Sequence, residues 1–170
     1  MFIKISGLSD GVHSFNFDEN ISLINLVEPF FGNFTADIEL SKTHNQMVMK
    51  TDFAVNAHFE CDRCANDFET QIAGSYRMVY FLGSLPANGE NKDENLIYLH
   101  PDADRIEIGN DLRDFALLTV PMKKLCREDC KGLCSRCGQD LNEGDCSCDK
   151  SNTDARWLPL IELKNKINNN

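Results

Sequence analysis

Eight cysteines fall in four close pairs, Cys61/Cys64, Cys126/Cys130, Cys134/Cys137 and Cys146/Cys148, and none is left over. A soft divalent cation in tetrahedral geometry needs four thiolates, which chains usually supply as two close pairs on two tight turns. Four pairs therefore read as two all-thiolate sites, with structural zinc the expected ion. Six of the eight lie in one stretch, LCREDCKGLCSRCGQDLNEGDCSCD. Within it CSRCG is the sharpest local signal, because a glycine after the second ligand lets backbone amides turn toward the sulfurs. Order along the chain favours Cys134, Cys137, Cys146 and Cys148 as one set, since both pairs flank a short loop. Cys61, Cys64, Cys126 and Cys130 then form the other. A competing arrangement takes one zinc from four of the last six cysteines and leaves Cys61/Cys64 without metal.

Two other uses of the cysteines compete with metal binding. Disulfides need an oxidising compartment, and MFIKISGLSD at the start carries no apolar signal-peptide core, so reduced thiols are expected. CDRC at 61–64 has the form of a redox pair, but such a pair belongs at the start of a helix in a βαβ unit. Here it stands between two strand-like runs. Catalytic signals are missing as well. A catalytic zinc would keep an open position beside a carboxylate or histidine, as in HEXXH, and that motif does not occur. His13, His44, His58 and His100 are scattered without ligand spacing, and the pair Glu107/Asp111 reads as a solvated face. The expectation is a protein that is not an enzyme and takes no small-molecule substrate.

Lys123, Lys124, Arg127, Lys131 and Arg136 crowd together against only Glu128 and Asp129. The plainer explanation is compensation, because four thiolates around a divalent ion leave net negative charge. The sharper one is a small RNA-phosphate patch. The whole chain carries a formal net charge of −10, and thiolate sites would make it more negative. Such a chain is a poor general binder of nucleic acid and is better suited to a basic protein. No apolar run reaches the length of a membrane span, so a cytoplasmic protein is expected.

The elements that must position these thiols read mainly as sheet. FIKIS at 2–6 and HSFNF at 13–17 alternate around the turn signal GLSDG. Pro29 limits any helix in 21–31 to a couple of turns. Three longer alternating runs follow: Phe34 to Leu40, Met47 to Phe59, and Phe68 to Leu82. Joined by THNQ and CDRCAND, they predict an antiparallel meander with the first cysteine pair on a hairpin tip. GSLPANGENKDEN at 83–95 reads as a polar surface loop, and LIYL at 96–99 with RIEI at 105–108 as a further strand pair. Asn110 is placed to cap a helix over 111–119, which Pro121 ends. The expected fold is α+β, mainly antiparallel sheet or a partly open barrel with a few short helices. Its parts are a sheet domain over 1–121, a zinc ribbon-like segment over 122–149, and a short helix with a frayed tail over 150–170.

Taken together these residues resemble the YceD-like family of bacterial and plastid proteins. The similarity rests on CDRC followed by Phe68, on VPMKKLC at 120–126, on CKGLCSRCGQDLNEGDCSC at 130–148, and on DARWLPLIEL at 154–163. Ala155 stands where the family often has proline, and Pro159 is an addition. The resemblance implies a role in accumulation of large-subunit ribosomal RNA, hence ribosome biogenesis, and the family is associated with no established catalytic reaction. It also points to a basic large-subunit ribosomal protein or precursor ribosomal particle as partner, with weak RNA contact at the 123–136 patch as a further option. A redox- or zinc-responsive regulator, using Cys61/Cys64 as its reactive thiols, is the alternative from another class.

Overall fold

A computed structural model describes residues 1–83, 96–148, 159–160 and 163–164. Strand dominates. β1 (Phe2–Lys4), β2 (Gly11–Asn20), β3 (Phe30–Thr43), β4 (Gln46–Glu60), β5 (Asp67–Leu82), β6 (Leu96–Leu99) and β7 (Arg105–Glu107) are followed by the helix α1 (Gly109–Leu118), with a short 3-10 helix at Ile21–Ile24. The strands form open sheets rather than a barrel: five strands in the order β2-β3-β4-β5-β6, and a separate pair, β1-β7. The described residues fit an α+β class.

Two compact units make up the chain. The first comprises Met1–Asp62 and Asn66–Glu128, the second Arg63–Ala65 and Asp129–Asn170. In the first unit the period-2 runs become the core. Leu40, Met47, Met49, Val55 and Tyr80 are buried from one face of β3, β4 and β5. Strands of 14 to 16 residues are long, and they stay in register because a one-residue slip would turn this whole set toward solvent. α1 covers the face. Leu112 and Ala116, one turn apart, are buried, and Phe115 stacks on Tyr76 with centroids 4.2 Å apart. Gly74 on β5 makes the close approach possible, since a Cβ there would lie 2.8 Å from Phe53 and 2.9 Å from Thr119. The apolar face carries one polar exception, Thr51. Its hydroxyl, like those of Tyr76 and Tyr80, is buried without a hydrogen-bond partner among the described residues.

The predicted meander forms as β3-β4-β5, antiparallel, with Thr43 opposite Gln46 and Glu60 opposite Asp67. His44 turns the first hairpin at φ 52, its N–H held by the Asp10 carboxylate at 3.0 Å. Elsewhere strand partners differ from the sequence expectation. β1 does not pair with β2 but with β7, Ile3 opposite Ile106. β6 and β7 do not pair with each other, because β6 runs parallel to β5 with Val79 opposite Leu96. Parallel neighbours need a long crossover, and residues 83–95 separate these two. The helix starts two residues early, at Gly109, so Asn110 lies inside it; the cap is Ile108 and has no side-chain bond. Residues 21–31 hold only the 3-10 turn, capped by Asn20, before β3 begins. Most of the expected loop at 83–95 and of the tail at 150–170, Trp157 and Ile161 included, lies outside the described residues. Leu160 and Leu163 are helical and exposed.

Candidate metal centre

The hairpin tip between β4 and β5 is a tight turn. The Cys61 N–H donates to the Asn66 carbonyl at 2.9 Å, and Ala65 takes a positive φ of 57. The same closure recurs in CSRCGQ. There the Cys134 N–H donates to Gln139 O at 2.8 Å, the Gly138 N–H to Cys134 O at 2.9 Å, and Gly138 has φ 73. In the second turn the amides of Arg136 and Cys137 face the Cys134 sulfur.

Supporting contacts come from residues that pattern reading did not single out. In the first unit Asp62 accepts the Lys124 N–H on its carboxylate at 2.7 Å while its own N–H reaches Lys124 O at 2.8 Å. That pairing sets the strand end beside the segment carrying Cys126, whose N–H points at Cys61 Sγ at 3.4 Å. In the second unit Arg63 donates to Cys130 O at 2.7 Å, and Leu133 N–H to Arg63 O at 3.0 Å. Gly132 passes so close that a Cβ would sit 2.8 Å from that carbonyl. Asn142 accepts the Lys131 N–H at 2.8 Å and donates to Cys130 Sγ at 3.4 Å. Asp140 in turn holds the Asn142 amide. The DLN run is the signal that could have found it.

The eight sulfurs gather in two groups: Cys61, Cys64, Cys126 and Cys130, and Cys134, Cys137, Cys146 and Cys148, each with its ligand atoms within 4.8 Å of one another. Four sulfurs at about 2.3 Å from a tetrahedral zinc stand roughly 3.8 Å apart, so both groups fit a divalent ion. This is the division that chain order favours. The groups differ in accessibility. Cys61 and Cys64 are each 2% exposed and Cys130 3%, with only Cys126 of that group exposed, whereas Cys137 is exposed and its three partners half-buried. Burial of Cys61 and Cys64 removes them from ready attack by an oxidant. In the open group the amides of Cys137 and Arg136 lower the Cys134 thiol to about 6. Neighbouring Cys137 and burial push Cys148 up to about 12. A lowered thiol at Cys134 beside a raised one at Cys148 is a pair that a divalent cation would let ionise together.

The five basic residues divide between the units. Lys123, Lys124 and Arg127 belong to the first, with Lys124 Nζ 5.5 Å from the centre of the Phe59 ring. Lys131 and Arg136 belong to the second and are exposed. The histidines are surface residues: His44, His58 and His100 each face an aspartate, at 3.5 to 3.6 Å, and His13 faces the Ser9 carbonyl. No helix among the described residues is long and apolar enough to cross a membrane.

The model of the family described as Large ribosomal RNA subunit accumulation protein YceD matches residues 49–164, a span that includes all eight cysteines. The chain is also similar to the Large ribosomal RNA subunit accumulation protein YCED homolog 1, chloroplastic, of Arabidopsis thaliana, with 30% identity over 74 residues. The match takes in 44% of this chain and 23% of that protein, so the chain spans about a quarter of the relative's length. No solved structure matches it.

Proposed function

We propose that this chain, which belongs to the YceD family, supports accumulation of large-subunit ribosomal RNA as a non-enzymatic assembly factor in the cytoplasm. The observation that carries the reading is the family match itself, since its span contains both cysteine groups and most of the β4–β5 hairpin that carries the first pair. Zinc is the ion proposed for both groups, as all-thiolate sets of four with no open position suit a structural rather than a catalytic site. When bound, zinc would supply charge neutralisation and a rigid cross-link, and no reaction. The residues of the chain do the rest. Cys126 and Asn142 aim N–H groups at sulfur, and Arg63 holds the Cys130 carbonyl.

The partner proposed is a basic large-subunit ribosomal protein or a precursor particle containing it. Formal charge of −10 supports this choice, because opposite charge speeds encounter between proteins. Depleting the protein from cells should lower the ratio of large- to small-subunit RNA, and an unchanged ratio would end the proposal. Metal analysis of the purified chain should return one zinc for each sulfur group, with Cys64→Ser and Cys137→Ser each removing one. A single zinc that persists through Cys61→Ser would favour the one-ion arrangement, and four native disulfides by intact mass would exclude both.

A further inference from the structure

Beside the hairpin tip, within the first unit, lies a groove of about 420 Å³. Its wall includes Phe59, Phe68, Thr70 and Gln71 from β4 and β5, and its rim carries Lys123 and Lys124. Phe59 is buried and tilts against the half-buried Phe68, their centroids 6.1 Å apart. Thr70 is half-buried on the same face as Phe68, and its hydroxyl can both donate and accept. The opposing charge on the rim is Glu128, one carboxylate against two ammonium groups, with Arg127 next to it in sequence.

We propose that this groove takes one unstacked nucleotide of single-stranded RNA, the base against Phe68 and its flanking phosphates at Lys123 and Lys124. The assignment rests on the ribosomal RNA role proposed above and gives that role a contact point. Three properties of the groove converge on this ligand. An aromatic wall accepts any base by its flat face, and stacking of this kind is how single-stranded RNA is commonly held. Cations at the rim of an otherwise acidic chain select an anionic ligand and repel the basic partner that the rest of the surface attracts. The hydroxyl of Thr70, on the same face of β5 as Phe68, can pair with a base edge, which an acidic peptide would not need. A volume of about 420 Å³ suits a single small ligand, and a duplex with its bases stacked inside would have nothing to insert.

The test uses the full chain, purified with its zinc, and fluorescein-labelled oligouridine followed by anisotropy, alongside the same backbone with abasic residues. Wild-type protein should bind the base-bearing strand about tenfold more tightly than the abasic one. Phe68→Leu, which keeps an apolar residue against the core, and Thr70→Val should erase most of that difference. Lys123→Ala with Lys124→Ala should weaken both strands and lower the salt slope by about 1.4, the value for two phosphates of a single strand. Equal binding of the two strands, no response to these changes, or equal competition by polyglutamate would each overturn the proposal. Failure here is separable from failure of the assembly role. If groove variants bind RNA poorly yet restore the RNA ratio in depleted cells as well as wild type, the groove reading falls and the assembly role stands. If wild type itself restores nothing, the assembly role falls.

Discussion

Ala65 and Gly138 occupy the same place in two copies of one turn, CDRCAN and CSRCGQ, each just after a Cys-x-x-Cys pair. Both adopt positive φ, at 57 and 73, yet only one is glycine. A side chain in that region clashes with its own following carbonyl, so Ala65 carries a cost that Gly138 does not. Ala65→Gly should therefore raise stability by about 1 kcal/mol, read as a shift in the denaturation midpoint at unchanged metal content. A midpoint that falls would show that Ala65 makes a contact worth more than its strain. Gly132 is the reverse case. It combines φ 75 with a carbonyl 2.8 Å from the place a Cβ would take, and that neighbour is backbone that cannot swing aside. Gly132→Ala should separate the Arg63 turn from the Cys130 segment and reduce zinc to one ion per chain by metal analysis. Full zinc content in that variant would show that the backbone can yield.

At the level of elements, α1 carries a carboxylate in an unfavourable place. Asp111 lies in the first turn, where the helix dipole favours negative charge, but it is half-buried. Burial first, and Asp114 second, raise its carboxyl above the ordinary range. A group whose pKa is higher folded than unfolded contributes stability that is complete below the unfolded value and is lost as pH rises through the folded one. Asp111→Asn, which cannot ionise, should thus be more stable than wild type at about pH 7.5. The gap should shrink as pH falls toward about 4, the unfolded value. Urea denaturation of both proteins across that range measures it. A gap that is constant with pH would mean that the dipole, not burial, governs this carboxylate.

For the molecule as a whole, charge sets how it meets others. A formal net charge of −10 on 170 residues attracts cationic protein surfaces from beyond contact distance, and such attraction is screened within about 8 Å at physiological salt. Capture of the proposed basic partner from nuclease-treated lysate should therefore weaken as salt rises, with no RNA present to mediate it. Salt-insensitive capture would point instead to an apolar interface. Reversing Lys123, Lys124 and Arg127 to Glu should leave zinc content and this protein partner in place while reducing association with precursor particles. Leu117, Leu118 and Met122 are exposed around the end of α1, yet nothing in the structure shows what covers them.

Local chemistry was readable from the order of residues alone. Pairs of thiols two to four residues apart, a glycine after Cys137, and alternation through β3, β4 and β5 are each contained within a few residues, where spacing dictates geometry. The first turn could be recognised but not its strain, because Ala65 resembles any loop alanine until the backbone is seen. Pairings across distance required the folded chain. That β1 lies against β7, that β6 runs parallel to β5, and that Asn142 reaches Cys130 depend on which segments meet, and strand-forming sequences of similar pattern are interchangeable partners until packing selects among them. The helix boundary moved for the same reason. Ile108 is wholly buried in the core, and that burial, not a capping side chain at Asn110, decided where α1 begins.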